Sequence, residues 1–119
     1  MNLLDQMNNL FHTIDAKDTE KFVSFLDENC ELTFGNAPVV AGKAGIYTAI
    51  DGFFQSIKAL THNVKEIIIK DDSIISYGRV AYFRHDGNEV IANFCNVFKM
   101  KGDLIAKYQI YVDISLLYS

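Results

Sequence analysis

Apolar and polar residues alternate along three long stretches in the second half of the chain, 73–84, 89–100 and 104–114. A period of two is the signature of strands with one buried face. The first half carries a different period. Leu3, Leu4, Met7, Leu10, Phe11 and Ile14 recur at helical spacing, with Asp5, Asn8, Asn9 and His12 between them, so the chain opens on an amphipathic helix that residues 15–17 break. Asp18 is a good N-cap with Glu20 in the following turn. Phe22, Val23, Phe25 and Leu26 give a second helix its buried stripe, which residues 27–29 end. A short strand is expected over 30–34. Residues 35–41, with the single Pro at Pro38, form a turn or a short irregular crossing. Gly42 opens a third helix over 43–59, with Ile46, Ile50, Phe53, Phe54 and Ile57 on its apolar side. Residues 62–70 form the first long strand.

The turns set the expected register. Asp86-Gly87 reads as a two-residue hairpin of type I′. That turn pairs Arg84 with Glu89, Ala81 with Ala92, Arg79 with Phe94 and Tyr77 with Asn96. At residues 101–103, a two-residue loop sets Phe98 opposite Lys107. A three-residue loop sets Phe98 opposite Ala106, Asn96 opposite Tyr108 and Phe94 opposite Ile110. The second keeps apolar residues together and is preferred, since a one-residue slip exchanges faces. The inner face then carries Ile75, Ala81, Phe83, Val90, Ala92, Phe94, Phe98, Met100, Leu104, Ala106, Ile110 and Val112. Its polar residues are Tyr77, Arg79, Asn96 and Tyr108, with Tyr77, Asn96 and Tyr108 in one row across three strands. The facing of Ile67, Ile68 and Ile69 cannot be read from period. A tight turn at Asp71-Asp72 brings Ile68, Glu66 and Val64 inside, and a bulge reverses part of that.

At 119 residues, one domain over 1–119 is expected, long enough for a real core. A net charge of −4 does not attract phosphate backbones, which argues against nucleic acid as a partner. Cys30 and Cys95 lie in apolar runs without a metal-type spacing, which suits free thiols in a reducing compartment. No basic segment precedes an apolar one at the N-terminus, and no apolar run approaches the roughly 20 residues that span a bilayer. A soluble, cytoplasmic protein without a membrane partner is expected. His12, His62 and His85 are spread without a ligand spacing, so neither a metal nor another cofactor is expected.

Several short features occur in one order: the Ile14-Asp15-Ala16-Lys17-Asp18 junction, Gly42-x-x-x-Ile46 followed by Phe53-Phe54, His62 at a strand start, Gly102-x-x-Ile105 and Tyr111-x-Asp113. With the element order helix, helix, short strand, helix and four-stranded meander, the chain resembles the nuclear transport factor 2-like superfamily. That group includes ketosteroid isomerase, limonene epoxide hydrolase and the SnoaL-like polyketide cyclases. The resemblance covers nearly the whole chain. It implies an α+β fold, a cone-like curved antiparallel sheet packed against three N-terminal helices, with an apolar cavity between them. It also implies a homodimer through the convex face of the sheet.

Residue by residue, the resemblance carries little of the known chemistry across. The general-base Asp of the ketosteroid isomerase pattern falls near Thr33, its oxyanion-hole Tyr near Leu10 and its oxyanion-hole Asp on Asn96. The working carboxylate of the epoxide hydrolase pattern falls near Ile110. The base is missing, though Asn96 retains an amide donor. Asp113 lies on the outer face by parity and is given no catalytic part.

The catalytic candidates are therefore His62, which can titrate near neutral pH, and Asn96. The expected ligand-binding set is Tyr77, Arg79, Phe94, Asn96, Tyr108 and Ile110, facing a small apolar molecule. The polar row has two readings, a self-satisfied cluster in a packed interior or groups that orient a ligand. Arg79 needs Glu66, a ligand carboxylate or solvent. Two functions remain open: a SnoaL-like enzyme of isomerase, cyclase, dehydratase or hydrolase type, and a non-catalytic ligand-binding or dimerisation module.

Overall fold

The computed structural model describes residues 2–118; Met1 and Ser119, the ends of the expected domain, lie outside the described residues. The elements are α1 (Leu3–Asp15), α2 (Thr19–Ser24), β1 (Leu26–Phe34), β2 (Val40–Ala41), α3 (Lys43–Gln55), β3 (Ala59–Lys70), β4 (Ser73–Phe83), β5 (Glu89–Lys101) and β6 (Leu104–Val112). They build one six-stranded sheet in the order β2-β1-β6-β5-β4-β3. Strands β3 to β6 form the expected antiparallel meander. Strand β1 runs parallel to β6, so the curved sheet is mixed rather than wholly antiparallel. No described helix is long and apolar enough to cross a membrane.

The helices follow the pattern, with shifted ends. Asn2 caps α1 by accepting from the Asp5 amide at 2.8 Å, and Met7, Leu10, Phe11 and Ile14 form its buried stripe. Asp18 caps α2 as expected, but the helix stops at Ser24. Leu26 opens β1 instead of closing the helix, because its backbone pairs with Ile105. Helix α3 ends at Gln55. The Lys17 ammonium then bonds the carbonyls of Phe54, Ile57 and Lys58 at 3.0–3.2 Å, satisfying acceptors that a helix end leaves open.

The register of the first hairpin differs from expectation by one residue. Phe83 pairs with Glu89, Val80 with Ala92, Gly78 with Phe94 and Ser76 with Asn96. The cause lies in the turn. A type I′ turn needs positive φ at both central residues, and here Gly87 has it (φ 89°) while Asp86 does not. The loop spans residues 84–88 instead. The Arg84 amide bonds the Asn88 carbonyl, the Gly87 amide bonds the Arg84 carbonyl, and the Asp86 carboxylate accepts from the Asn88 amide. Every side chain of β4 therefore faces opposite to expectation. Ile74, Ser76, Val80 and Tyr82 are the buried ones, whereas Tyr77 and Arg79 stand on the outer face.

The second hairpin has the two-residue loop rather than the preferred three-residue one, and a bulge then restores the expected faces. Lys101 pairs with Leu104 around Gly102-Asp103, and a bulge beyond Met100 then sets Phe98 opposite Tyr108 and Asn96 opposite Ile110. Tyr108 and Ile110 keep the expected face while their partners move by two residues. Before the bulge the parity reverses, so that Ile105 is buried and Leu104 exposed.

A second bulge, in β3 at Lys65, separates the Val64–Gly78 pair from the Glu66–Tyr77 pair. On one side of it Ile68 and Glu66 lie on the outer face. On the other, Leu60, His62 and Val64 face inward. Gly78 makes this possible. A Cβ there would stand 2.1 Å from the Asn63 carbonyl oxygen and 2.8 Å from the Lys65 nitrogen, both backbone atoms. Inner-face residues Ile74, Val80, Phe98, Ile105 and Tyr108 pack on Met7, Leu10, Phe22, Ile46 and Ile50 from the helices.

Two outcomes test this packing. Gly78→Ala should lower stability by about 3 kcal/mol, since the backbone must shift. Gly52→Ala, in α3 where an added Cβ meets nothing within 4 Å, should raise it by about 0.5–1 kcal/mol. Urea midpoints of the two variants check this, and a neutral Gly78→Ala would overturn the close approach. Burial, aided by Asp27 and Glu31, pushes the Cys30 thiol from 9.0 up to about 11. The folded state then keeps a proton that the unfolded chain loses, so this contribution is full below pH 9.0 and is lost as pH rises towards about 11. The wild-type midpoint should fall as pH rises above 9.0, and the early part of that fall should flatten in Cys30→Ala; an unchanged decline would remove Cys30 as its cause.

Candidate functional site

The last residue of α1 meets the fourth residue of β3. His62 Nδ1 lies 2.6 Å from Asp15 Oδ1, and the His62 amide donates to Asp15 Oδ2 at 2.9 Å. Both carboxylate oxygens are thus engaged by one residue. Asp15 sits at a helix C-terminus, where the dipole disfavours an anion. Helix stability does not explain an acid there; the contact with His62 does. The imidazole is clamped as well. Its ring centroid lies 5.2 Å from that of Phe11 and 5.1 Å from that of Phe94, edge-on to the latter. The His62 side chain is 9% exposed and that of Asp15 26%.

A carboxylate on Nδ1 fixes the tautomer that carries its proton there and leaves Nε2 as the basic nitrogen. Nε2 has no hydrogen-bond partner among the described residues. His62 lines a small cavity between the inner face and α3, of about 40 Å³, room for one or two waters. Its wall is mainly aromatic, with Phe22, Phe53, Phe54, Tyr82, Phe94 and Tyr108 on it, and Asn96 and His62 are its most polar members. Phe34 and Phe53, both half-buried with ring centroids 4.9 Å apart, close one side.

Burial raises the hydroxyls of Tyr82 and Tyr108 well above the usual phenol range; Tyr118 adds to this for Tyr82, and Tyr82 and Cys30 for Tyr108. Both hydroxyls therefore stay neutral and are donors rather than bases. The Asn96 side-chain oxygen and the Ser76 hydroxyl are buried without a hydrogen-bond partner, and these two residues face each other across β4 and β5. Interior polar groups usually find partners, so this pair is an unsatisfied polar point in an apolar wall.

Of the residues expected to bind a ligand, Phe94, Asn96, Tyr108 and Ile110 line this cavity. Tyr77 and Arg79 do not, because the hairpin loop reverses β4. Tyr77 donates to Glu66 on the outer face at 3.1 Å, and Glu66 forms no ion pair with Arg79. The expected Tyr77–Asn96–Tyr108 row is replaced by Ser76–Asn96–Ile110. Asp15, Ser76 and Tyr82 were missed. The last two follow from the register slip. Asp15 had a signal, an acid where the helix dipole disfavours it, but nothing local connects it to a residue 47 positions away. Thr33 and Ile110, where known carboxylates were sought, supply no acid, and the inward residues of β1 are Cys30, Leu32 and Phe34. Among the described residues no group of three His, Cys, Asp or Glu could hold a metal.

Comparison with known proteins follows the same lines. A protein from Jannaschia provisionally named a SnoaL-like polyketide cyclase superposes with a TM-score of 0.85 at 12% identity, over 97% of this chain and 88% of the other. A protein from Bacillus subtilis provisionally named an isomerase gives 0.80 at 20% identity, over 95% and 90%. An LEH-like epoxide hydrolase of M. tuberculosis gives 0.78 at 12%, over 91% and 80%. At these identities the likeness is one of fold. No curated protein matches the chain by sequence. The SnoaL-like domain model, however, matches residues 7–108, and with the nuclear transport factor 2-like architecture around it, the chain belongs to the SnoaL-like domain family.

Proposed function

We propose that this protein holds a compact, mostly apolar molecule between α3 and the inner face of the sheet and moves a proton on it. The observation that carries the reading is the Asp15–His62 pair at the cavity wall. His62 Nε2 takes a proton from the bound molecule or returns one, while Asp15 holds the ring and stabilises the imidazolium. The Asn96 amide and the neutral Tyr82 and Tyr108 hydroxyls are the donors available to an oxygen that gains negative charge. Such a division of work suits an isomerase-type or cyclase-type step on a ketone or enone.

Space is the constraint. A site for a small organic molecule usually needs some 300 Å³ or more, against about 40 Å³ here. Entry therefore requires side chains to move, and the half-buried Phe34–Phe53 pair is the group to yield. The same tightness favours a second reading, a non-catalytic module whose polar interior groups are structural.

The readings separate in one experiment. Compact cyclic ketones, enones and epoxides are screened for a rise in melting temperature, and hits are followed for turnover and for solvent deuterium uptake. Under the first reading His62→Ala lowers the rate about 10²–10⁴-fold, and Asp15→Asn lowers it about 10–100-fold through loss of ring orientation. Turnover that survives His62→Ala removes His62 from the chemistry. Binding without turnover or exchange selects the module.

We further propose that the protein pairs with a second copy through the apolar part of the outer face around Ile75, two rows along β4 from Arg79. Support comes from the row Ile68–Ile75–Val97, aligned across β3, β4 and β5, in which Ile68 and Ile75 are 44% and 37% exposed. Tyr111, 50% exposed, stands in the adjoining row beside Cys95. Sedimentation velocity should give a dimer mass that Ile75→Asp converts to monomer. A monomer mass independent of concentration would overturn the assembly.

A further inference from the structure

The outer face holds a second feature, separate from the interior site and independent of the reading given for it. Asn63, Arg79 and Asn93 pair in register, one on each of β3, β4 and β5, and form a polar row across the sheet. Side chains at paired positions on one face lie about 4.5–5.5 Å apart at Cβ, so Arg79 is rooted between the two Asn. The bulge adds a fourth group. Lys65 is the extra residue of β3, displaced from the ladder beside the Asn63–Arg79 pair. These four residues, with Tyr77, line a half-open cleft of about 530 Å³.

What the row lacks is an acid. No ion pair or hydrogen bond engages the side chains of Arg79, Lys65, Asn63 or Asn93 among the described residues, although Lys99, Lys101 and Lys107 elsewhere on the sheet each have a carboxylate partner. Glu66, in the next row, accepts the Tyr77 hydroxyl. In a chain of net charge −4, two cations and two amides thus line one cleft with no acid among its lining residues.

We infer that this cleft is an anion site that takes a phosphate group through Arg79 and Lys65, with Asn63 and Asn93 at its sides. The chemistry selects the class. A guanidinium presents a fork that matches two oxygens of one phosphate, and an ammonium supplies a point charge to a third. A phosphate monoester carries nearly two negative charges at neutral pH, which one Arg and one Lys balance. A carboxylate has one charge and two oxygens and leaves half of the donors unused. The amides add neutral N–H donors that do not repel a second ligand group.

Titration calorimetry with inorganic phosphate tests this, at neutral pH and low ionic strength, with chloride as the matched control. Saturable binding of phosphate and none of chloride is expected. Arg79→Gln should weaken it by about tenfold or more, the scale of one lost charge-assisted contact. Lys65→Gln should weaken it several-fold, and Lys107→Gln, in another part of the same face, should leave it unchanged. All three are surface changes, and equal melting temperatures confirm that each variant folds. No saturable phosphate binding into the millimolar range, unchanged affinity in Arg79→Gln, or an equal loss in Lys107→Gln would each overturn the site. Acetate binding as tightly as phosphate would overturn its assignment to phosphate.

Discussion

The β3 bulge at Lys65 decides which residues this protein shows to its interior. Counted back from the Asp71-Asp72 turn, an unbroken ladder would put Lys65, Asn63 and Thr61 against α1 and the core. One extra residue reverses the parity, and Val64, His62 and Leu60 take those places. The bulge in turn depends on Gly78, because the β3 backbone fills the volume that any side chain at that position would need. Bulges commonly occur beside functional sites for this reason: they re-aim a side chain without changing the strand. Here a single inserted residue moves an imidazole to the inside and leaves Asn63 and Lys65 on the outer face beside Arg79.

Once His62 faces inward, the junction between α1 and α2 holds it. Two residues there make polar contacts to distant parts of the chain. Asp15 takes the His62 ring and amide, and Lys17 takes three carbonyls at and beyond the end of α3. Lys17 has φ 55°, a left-handed conformation uncommon for a residue with a side chain. It is held by its ammonium and by the bond from its amide to the Ile14 carbonyl at 2.8 Å. The helices and the sheet are thus joined by directional bonds at this end of the cavity, and the Gln6 side-chain amide adds another from α1 to the Asp103 carbonyl. Rotating the ring between Phe11 and Phe94 would break its Nδ1 contact with Asp15 and leave the backbone contact in place.

The fold was legible in the chain because its signals are long. The helical stripe of α1, the caps at Asp18 and Gly42 and the alternation in β5 each rest on several residues. The faces of β5 were read correctly, so Phe94, Asn96 and Phe98 fell where expected. Those of β4 were not, because they hung on the conformation of one residue, Asp86. Its carboxylate bonds the Asn88 amide, and so favours a longer loop over the tight turn that Asp-Gly usually signals. Ser76 and Tyr82 were lost to that slip, and Tyr77 and Arg79 were misplaced by it. In β3, an apolar run of three Ile hides parity altogether. The site was less legible than the fold for a further reason. Its two central residues lie 47 positions apart, and only tertiary structure makes them neighbours.

The missing carboxylates bear on this. In the ketosteroid isomerase and epoxide hydrolase patterns that the chain resembles, the working carboxylate falls near Thr33 or near Ile110, and neither residue is an acid. An acid is nevertheless present at the cavity wall, one bond removed from the interior. Asp15 reaches the cavity only through His62, so the group that would touch a bound molecule is an imidazole. That exchange alters the demands on the surroundings. A bare carboxylate in an apolar wall must be desolvated as an anion, whereas here the carboxylate stays on the more exposed side, 26% exposed at Asp15, and what faces the apolar wall is an imidazole whose charge, when it carries a proton, lies next to that anion. An interior lined by Phe22, Phe53, Phe54 and Phe94 tolerates the second arrangement far better than the first. The aromatic packing and the position of the acid are therefore consequences of one another.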